Sequence, residues 1–177
     1  METAICTTIK SISRDEWEAC RSSRAGGDPF LSYDFFFLLE TSNSVGPKTG
    51  WIPFYIIFKE KNIVVGIIVS FLKNHSQGEY VFDHSWADAY ERSGGNYYPK
   101  LQVAVPFTPV SGERILVQSE YEDKVGEMIS SAKRLVEENN LSSLHITFCS
   151  KSFVSVAKKN NLPVSYTHLT LPTNSGV

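Results

Sequence analysis

The chain lacks nearly every signature by which a sequence declares a reaction. It has no Ser/His/Asp arrangement, no nucleophile elbow, no Walker loop and no dinucleotide fingerprint, so the enzyme classes those motifs identify are excluded. Cysteine is scarce. Cys6, Cys20 and Cys149 are odd in number, widely spaced and without C-x-x-C or Cys/His ligand spacing, so we expect no disulfide framework, no zinc site, and reduced thiols in the cytoplasm. Long hydrophobic runs are missing too. IVVGIIV reaches only about a third of the ~20 residues that a spanning helix needs, and METAICTTIK lacks the basic-then-apolar pattern of an export signal. We therefore expect no membrane span. Neither sign of charge dominates: 17 Lys and Arg face 19 Asp and Glu, a balance that gives no reason to expect DNA as a partner.

What is present is globular material. Apolar residues at 42% and charged residues at 20% suit one packed domain, and 177 residues can bury about two thirds of the unfolded surface. Thr3 to Ile12 reads as a strand. Ser13 and Glu16 then have capping-box spacing for a helix over 14–21. Asp28 and Pro29 open a second helix through Glu40, whose FFFLL run predicts burial on most sides. Trp51 to Phe58 and Ile63 to Leu72 form a strand pair; the second is apolar on both faces, as in a central strand covered from both sides. Gly66 within it marks a bulge or a close backbone approach. Ser119 caps a helix carrying Val125, Met128, Ile129, Ala132, Leu135 and Val136 along one stripe. LHITF is a one-faced strand, and a last helix covers 152–160. The expected fold class is therefore α/β (α+β).

Residues 75–114 hold seven aromatic rings in forty residues. Within them Glu79 to Phe82 reads as a strand, Ser85 to Arg92 as a short helix with Ser85 and Asp88 at capping spacing, and Leu101 to Val105 and Arg114 to Val117 as further strands. His75, Glu79, Asp83 and His84 carry metal-ligand chemistry, but their spacing matches no known signature, and surface or capping roles are the simpler reading; Asp83 could cap the helix. Tyr80, Phe82, Trp86, Tyr90, Tyr97 and Tyr98 either line a pocket that orients a polar substrate or, for Trp86 and Tyr90, pack one helical turn apart on the sheet. Lys100 is either an anion site or solvated surface. Pro106 to Pro109 removes two amides, which opens a split in a central strand or ends an edge strand in a turn.

GEYVFD, WADAYER, YYPKL and PFTPVSGER, with DPFLS and GWIPF upstream, resemble an uncharacterised bacterial family of FemAB-like proteins related to the peptidoglycan-branching transferases. The resemblance covers roughly residues 1–163. It implies a GNAT-like fold, with a mixed, mostly antiparallel central sheet and helices on both faces, and transfer of an acyl or aminoacyl group from acyl-CoA or aminoacyl-tRNA to an amine, for example of a peptidoglycan precursor. It further implies that the chain is the N-terminal half of a tandem pair. The tail VSYTHLTLPTNSGV resembles translated sequencing adapter, and a non-native stretch over 164–177 is expected.

On that resemblance Tyr97, Tyr98, Lys100, Thr108 and Arg114 form an acceptor pocket, Trp86 and Tyr90 add substrate contacts, and Asp83 or Glu91 serves as base. No covalently bound cofactor is expected. One feature departs from GNAT enzymes. SEYEDKVGE lacks their glycine-rich phosphate loop, and its Glu120, Glu122 and Asp123 would repel a pyrophosphate at the helix start. A non-catalytic domain that recognises an amino sugar, peptide or protein is the competing expectation.

Overall fold

A computed structural model describes residues 1–81 and 83–164. The strands are β1 (Glu2–Cys6), β2 (Ile52–Pro53), β3 (Tyr55–Glu60), β4 (Ile63–Ile68), β5 (Ser70–Lys73), β6 (Lys100–Val103), β7 (Ile115–Val117) and β8 (Leu144–Ile146). Helices α1 (Arg14–Ala25), α2 (Tyr33–Thr41), α3 (His84–Arg92), α4 (Val125–Glu138) and α5 (Lys151–Lys159) fill the connections. One four-stranded sheet runs β1-β3-β4-β7 and the other β2-β5-β6-β8. All the pairings of these strands are antiparallel except β6 with β8, which is parallel.

The two sheets share one long hairpin. β4 and β5 are successive parts of a single chain direction interrupted at Val69, and β2 and β3 are interrupted at Phe54. On the far side, β6 pairs with β5 up to Ser70↔Val103, and β7 pairs with β4 from Ile68↔Ile115. Residues 104–114 are therefore an excursion inserted opposite one residue of a continuous strand. A second excursion covers 74–99, for Lys73 and Lys100 are directly paired. Beyond β8 the chain meets the first excursion at the Gly112↔Cys149 bridge, and there Arg114 Nε donates to the Thr147 carbonyl and Ser152 Oγ to Glu113 Oε1. Among the described residues, no strand pairs with the outer edge of β7.

Burial divides by sheet face, which is why helices cover both. Ile57, Ile67, Val69 and Phe71 pack with Trp17, Leu31 and Phe36 under α1 and α2, while Ile56, Phe58, Val65, Ile68 and Val103 pack with the stripe of α4 and with Phe153 and Ala157 of α5. The register shifts between Phe58↔Gly66 and Lys59↔Val64, which is a bulge. Gly66 also permits close approach, for a Cβ there would lie 2.5 Å from Met128 Cε. The stripe on α4 is buried at Val125, Met128, Ile129, Ala132 and Val136, and Leu135 is partly buried.

Several elements depart from the sequence reading. The first strand ends at Cys6, because Thr8 caps a 3₁₀ turn over Ile9–Ser11. The Ser13/Glu16 capping box forms, but α1 continues to Ala25. Asp28 caps only the turn Pro29–Leu31, and Ser32 accepts from the Phe35 amide to start α2 separately. FFFLL is not buried on most sides: Phe36 is, whereas Leu38 is 63% exposed, since α2 packs from one side against α1 and the neighbouring turns. Of the strand expected over Glu79 to Phe82, residues 79–81 are not a strand, for Tyr80 has φ +57, which an extended ladder does not admit; Phe82 lies outside the described residues. Ser119 caps nothing, because 119–124 winds as a 3₁₀ turn before α4. The stretch expected to be non-native lies, from residue 165 on, outside the described residues. No helix among the described residues is long and apolar enough to cross a membrane.

Candidate functional site

The chemistry of the 74–99 excursion converges on Lys100. Its ammonium, fully buried, donates to Ser76 Oγ at 2.9 Å, Glu79 Oε2 at 2.8 Å and Asp83 Oδ2 at 2.8 Å. The Tyr97 hydroxyl donates to the same Asp83 oxygen at 2.8 Å, and Tyr98 and Ser76 share a hydroxyl hydrogen bond of 2.8 Å. Both tyrosine rings face the ammonium, with centroids 5.3 and 5.6 Å away. A second buried cation stands alongside. Lys73 Nζ donates to the Gln77 carbonyl at 3.1 Å, lies 3.8 Å over the Trp51 ring and 4.0 Å from Glu79 Oε1. Two cations thus meet two carboxylates where β5 and β6 leave the sheet, and they tie the excursion to it.

Burial decides the electrostatics. It pulls Lys73 down to about 8, with the neighbouring Lys100 charge acting in the same direction against Glu79. Burial also raises Glu79, although Lys100 opposes it. At Asp83, burial pushes up, but the hydrogen bonds from Lys100, Ser76 and Tyr97 prevail and its carboxyl sits below the usual range. His145 on β8, whose ring meets that of Tyr97 at 5.9 Å, is driven down to about 4, by burial first and then by Lys100.

The predicted residues therefore separate. Asp83, Tyr97, Tyr98 and Lys100 are brought together, but as one internal network. Lys100 is buried rather than solvated surface, and Asp83 makes no side-chain cap on α3; its Oδ2 accepts from Lys100 and Tyr97, while its buried Oδ1 has no hydrogen-bond partner. No side-chain cap is made at that helix start by Asp83 or by Ser85 and Asp88 spacing. Trp86 and Tyr90 do not pack on the sheet: they are 75% and 51% exposed, because α3 stands off it with only Ala87 buried. Glu91 is exposed beside an open depression lined by Asp88, Glu91 and Arg92. Thr108 Oγ1 donates to the Pro106 carbonyl at 3.0 Å. Arg114 is buried; its guanidinium donates to the carbonyls of Thr147, Glu113 and Val110 at 2.8, 2.9 and 2.7 Å and closes the 104–114 excursion on itself. His75, His84, Glu79 and Asp83 do not assemble: no group of three or more metal-ligating side chains exists among the described residues.

Lys73, Ser76, Trp51 and Phe107 are the members that sequence reasoning missed. Phe107, at φ +59, lays its ring on Trp51 at a centroid distance of 5.5 Å, over Gly78, where a Cβ would meet that ring at 2.7 Å. The two excursions therefore interlock. A lysine ending an apolar strand reads as an exit to solvent, and only the Gln77 carbonyl, the Trp51 ring and Glu79, brought to it by the fold, receive it inside; the one usable signal was the φ-permissive Gly78 amid aromatic neighbours.

Two solved structures share the fold. A ribosomal-protein-alanine N-acetyltransferase from Brucella melitensis biovar Abortus 2308 is 10% identical, with 97% of this chain and 98% of that one covered at a TM-score of 0.52. The aminoglycoside N-acetyltransferase AAC(6')-Iy, solved in complex with CoA, is 12% identical, with 98% and 95% covered at a TM-score of 0.54. The fold is thus that of the GNAT acetyltransferases. No curated protein matches the sequence significantly. The model of the FemAB-like family, described as peptidoglycan biosynthesis and recognition, matches residues 8–174. With that match over most of its length, the chain belongs to the FemAB-like family.

Proposed function

We propose that this chain is the acceptor-holding, N-terminal domain (residues 1–163) of an N-acyltransferase, which moves an acyl or aminoacyl group from acyl-CoA or aminoacyl-tRNA to an amine of a peptidoglycan precursor. The observation that carries this reading is the parting of the sheet. β8 accompanies β6, yet among the described residues no strand pairs with the outer edge of β7, where the Val117 carbonyl accepts from Ser23 Oγ of α1 at 2.6 Å, beside the Pro106 to Pro109 excursion. The amides and carbonyls of that short edge left over by the Ser23 bond can receive an extended acyl donor as a strand would. An amide of that row can also steady the oxyanion formed when the amine attacks the carbonyl.

The donor's phosphates are held elsewhere, in a second half-domain. The turn before α4 carries Glu120, Glu122 and Asp123 where a pyrophosphate would need the positive end of a helix. Glu91 is the candidate base, since it is exposed next to an open depression, whereas Asp83 is committed to Lys100. The test uses the full-length protein with acetyl-CoA or aminoacyl-tRNA and a panel of amines that includes a lysine-containing stem peptide. Transfer that falls in Glu91→Gln is the expected result. No transfer from either donor to any amine, together with no heat on titrating CoA, overturns the reading.

A further inference from the structure

The turn over 105–108 holds a residue that its geometry does not favour. The Thr108 amide donates to the Val105 carbonyl at 3.3 Å, so Pro106 and Phe107 are its two central residues, and Phe107 has φ +59. Proline first and a positive φ second are the pattern of a type II turn, whose second central position prefers glycine or asparagine. A bulky phenylalanine is strained there. Burial rewards it only in part, because the residue stays 40% exposed. What the ring does is cover Trp51. The two ring centroids lie 5.5 Å apart, and Gly78, at φ +77, makes the room: a Cβ there would lie 2.7 Å from Phe107 Cε1 and 3.1 Å from Trp51 Nε1.

Beneath that ring is a donor without an acceptor. Trp51 is 1% exposed, and its Nε1 makes no hydrogen bond, although buried polar side chains are paired in the large majority of cases because an unmade bond costs free energy. Lys73 Nζ, 3.8 Å over the same ring, polarises the indole and strengthens the pull of its N–H on an acceptor. Turning over the peptide bond between Pro106 and Phe107 converts a type II turn into type I, in which φ at Phe107 is negative. That relieves the strain and carries the ring off the indole. We propose that Phe107 is a displaceable plug, and that the space it vacates between Gly78 and Trp51 binds a planar amide whose carbonyl accepts from Trp51 Nε1. The slot has the thickness of an aromatic ring, so the ligand is flat. It is neutral, because the buried cluster to which Lys73 belongs sets two lysines against two carboxylates, and Glu79 Oε1, which has no hydrogen-bond partner, repels an anion. Amide resonance loads the carbonyl oxygen with negative charge and makes it the better acceptor among uncharged carbonyls. The proposal goes beyond the transfer reading above and stands without it.

The three indole N–H groups differ, which makes the test direct. Trp17 Nε1 donates to the Leu31 carbonyl at 2.9 Å, Trp86 is 75% exposed, and Trp51 is buried with no acceptor. Benzamide is titrated into the full chain, isotope-labelled on tryptophan, and the indole signals are followed by NMR after assignment with Trp17→Phe and Trp86→Phe. Methyl benzoate, benzoate and toluene are the comparison ligands. Benzamide should move the Trp51 indole proton downfield to saturation and leave that of Trp17 in place. Phe107→Gly, which suits the turn and removes the ring, should bind benzamide about tenfold more tightly, as for a plug closed about nine-tenths of the time. Phe107→Asn provides the same comparison should the glycine variant not fold. The proposal is overturned if benzamide leaves the Trp51 signal unmoved in the wild-type chain, if a comparison ligand binds as tightly as benzamide, or if loss of the ring does not tighten binding. A Trp51 proton already shifted downfield and exchanging with solvent in the free protein would mean that water is its acceptor, and overturns the proposal as well. Transfer is measured separately, and its absence removes the acyltransferase reading alone.

Discussion

Replacing Lys100 by methionine keeps the length of the side chain and removes its charge. In the native protein the ammonium is fully buried and makes three hydrogen bonds of 2.8 to 2.9 Å, two of them to carboxylates whose side chains are 1% and 8% exposed. The variant leaves Glu79 and Asp83 facing each other in buried surroundings, with Lys73, 4.0 Å from Glu79, as the remaining neighbouring cation. Breaking a buried ion pair by deleting one partner costs about 3–5 kcal/mol, most of it the desolvation of the stranded charge. For a domain of this size each kcal/mol lowers Tm by about 2–4 °C, so the loss should exceed roughly 6 °C at pH 7. The sign of the pH dependence follows. Lys100 helps to hold Asp83 below the ordinary carboxylate range; without it burial raises the pKa, and a carboxyl raised on folding destabilises the fold as pH rises through its pKa. The gap between variant and wild type should therefore narrow as pH falls toward about 4, where the stranded carboxyls protonate. Urea unfolding followed by circular dichroism at pH 7 and pH 4.5 measures both. Adding Glu79→Gln and Asp83→Asn should recover much of the loss. A variant within about 1 kcal/mol of wild type at pH 7, or a gap that does not narrow, would refute the reasoning.

Other outcomes follow from the same geometry. His145 is held neutral with a pKa near 4 against an ordinary value of 6.5, so the unfolded chain takes up a proton first and stability falls from about pH 6.5 to 4, by up to roughly 3 kcal/mol; His145→Gln should flatten that part of the curve. Gly78→Ala places a Cβ 2.7 Å from the Phe107 ring at φ +77 and should cost about 2 kcal/mol. Phe107→Ala should relieve part of that cost, and a denaturation cycle showing no coupling would contradict the interlock. Cys20 is buried with its thiol pushed up to about 12, so it should resist alkylation in the native protein at pH 8 and react on unfolding; rapid labelling, read by mass spectrometry, would count against the packing.

The sequence determined what depends on near neighbours. A serine three residues before a glutamate made the Ser13 cap, a 3.6-residue stripe made α4, and an all-apolar strand announced two covered faces, since each is a local matter of periodicity or capping. The family also showed in local words such as PFTPVSGER. Tertiary structure alone decided which charges meet. Nothing near Lys73 or Lys100 in sequence says that they pair across β5 and β6, or that Glu79 and Asp83 return to them. The register that brings them together is set by strands far apart in the chain, and it removed Lys100 and Asp83 from the surface on which the sequence had placed them. The same long-range locking explains Trp86 and Tyr90. Their helical spacing suits packing on a sheet, but α3 is held off the sheet by anchors outside itself, and the rings are left facing water.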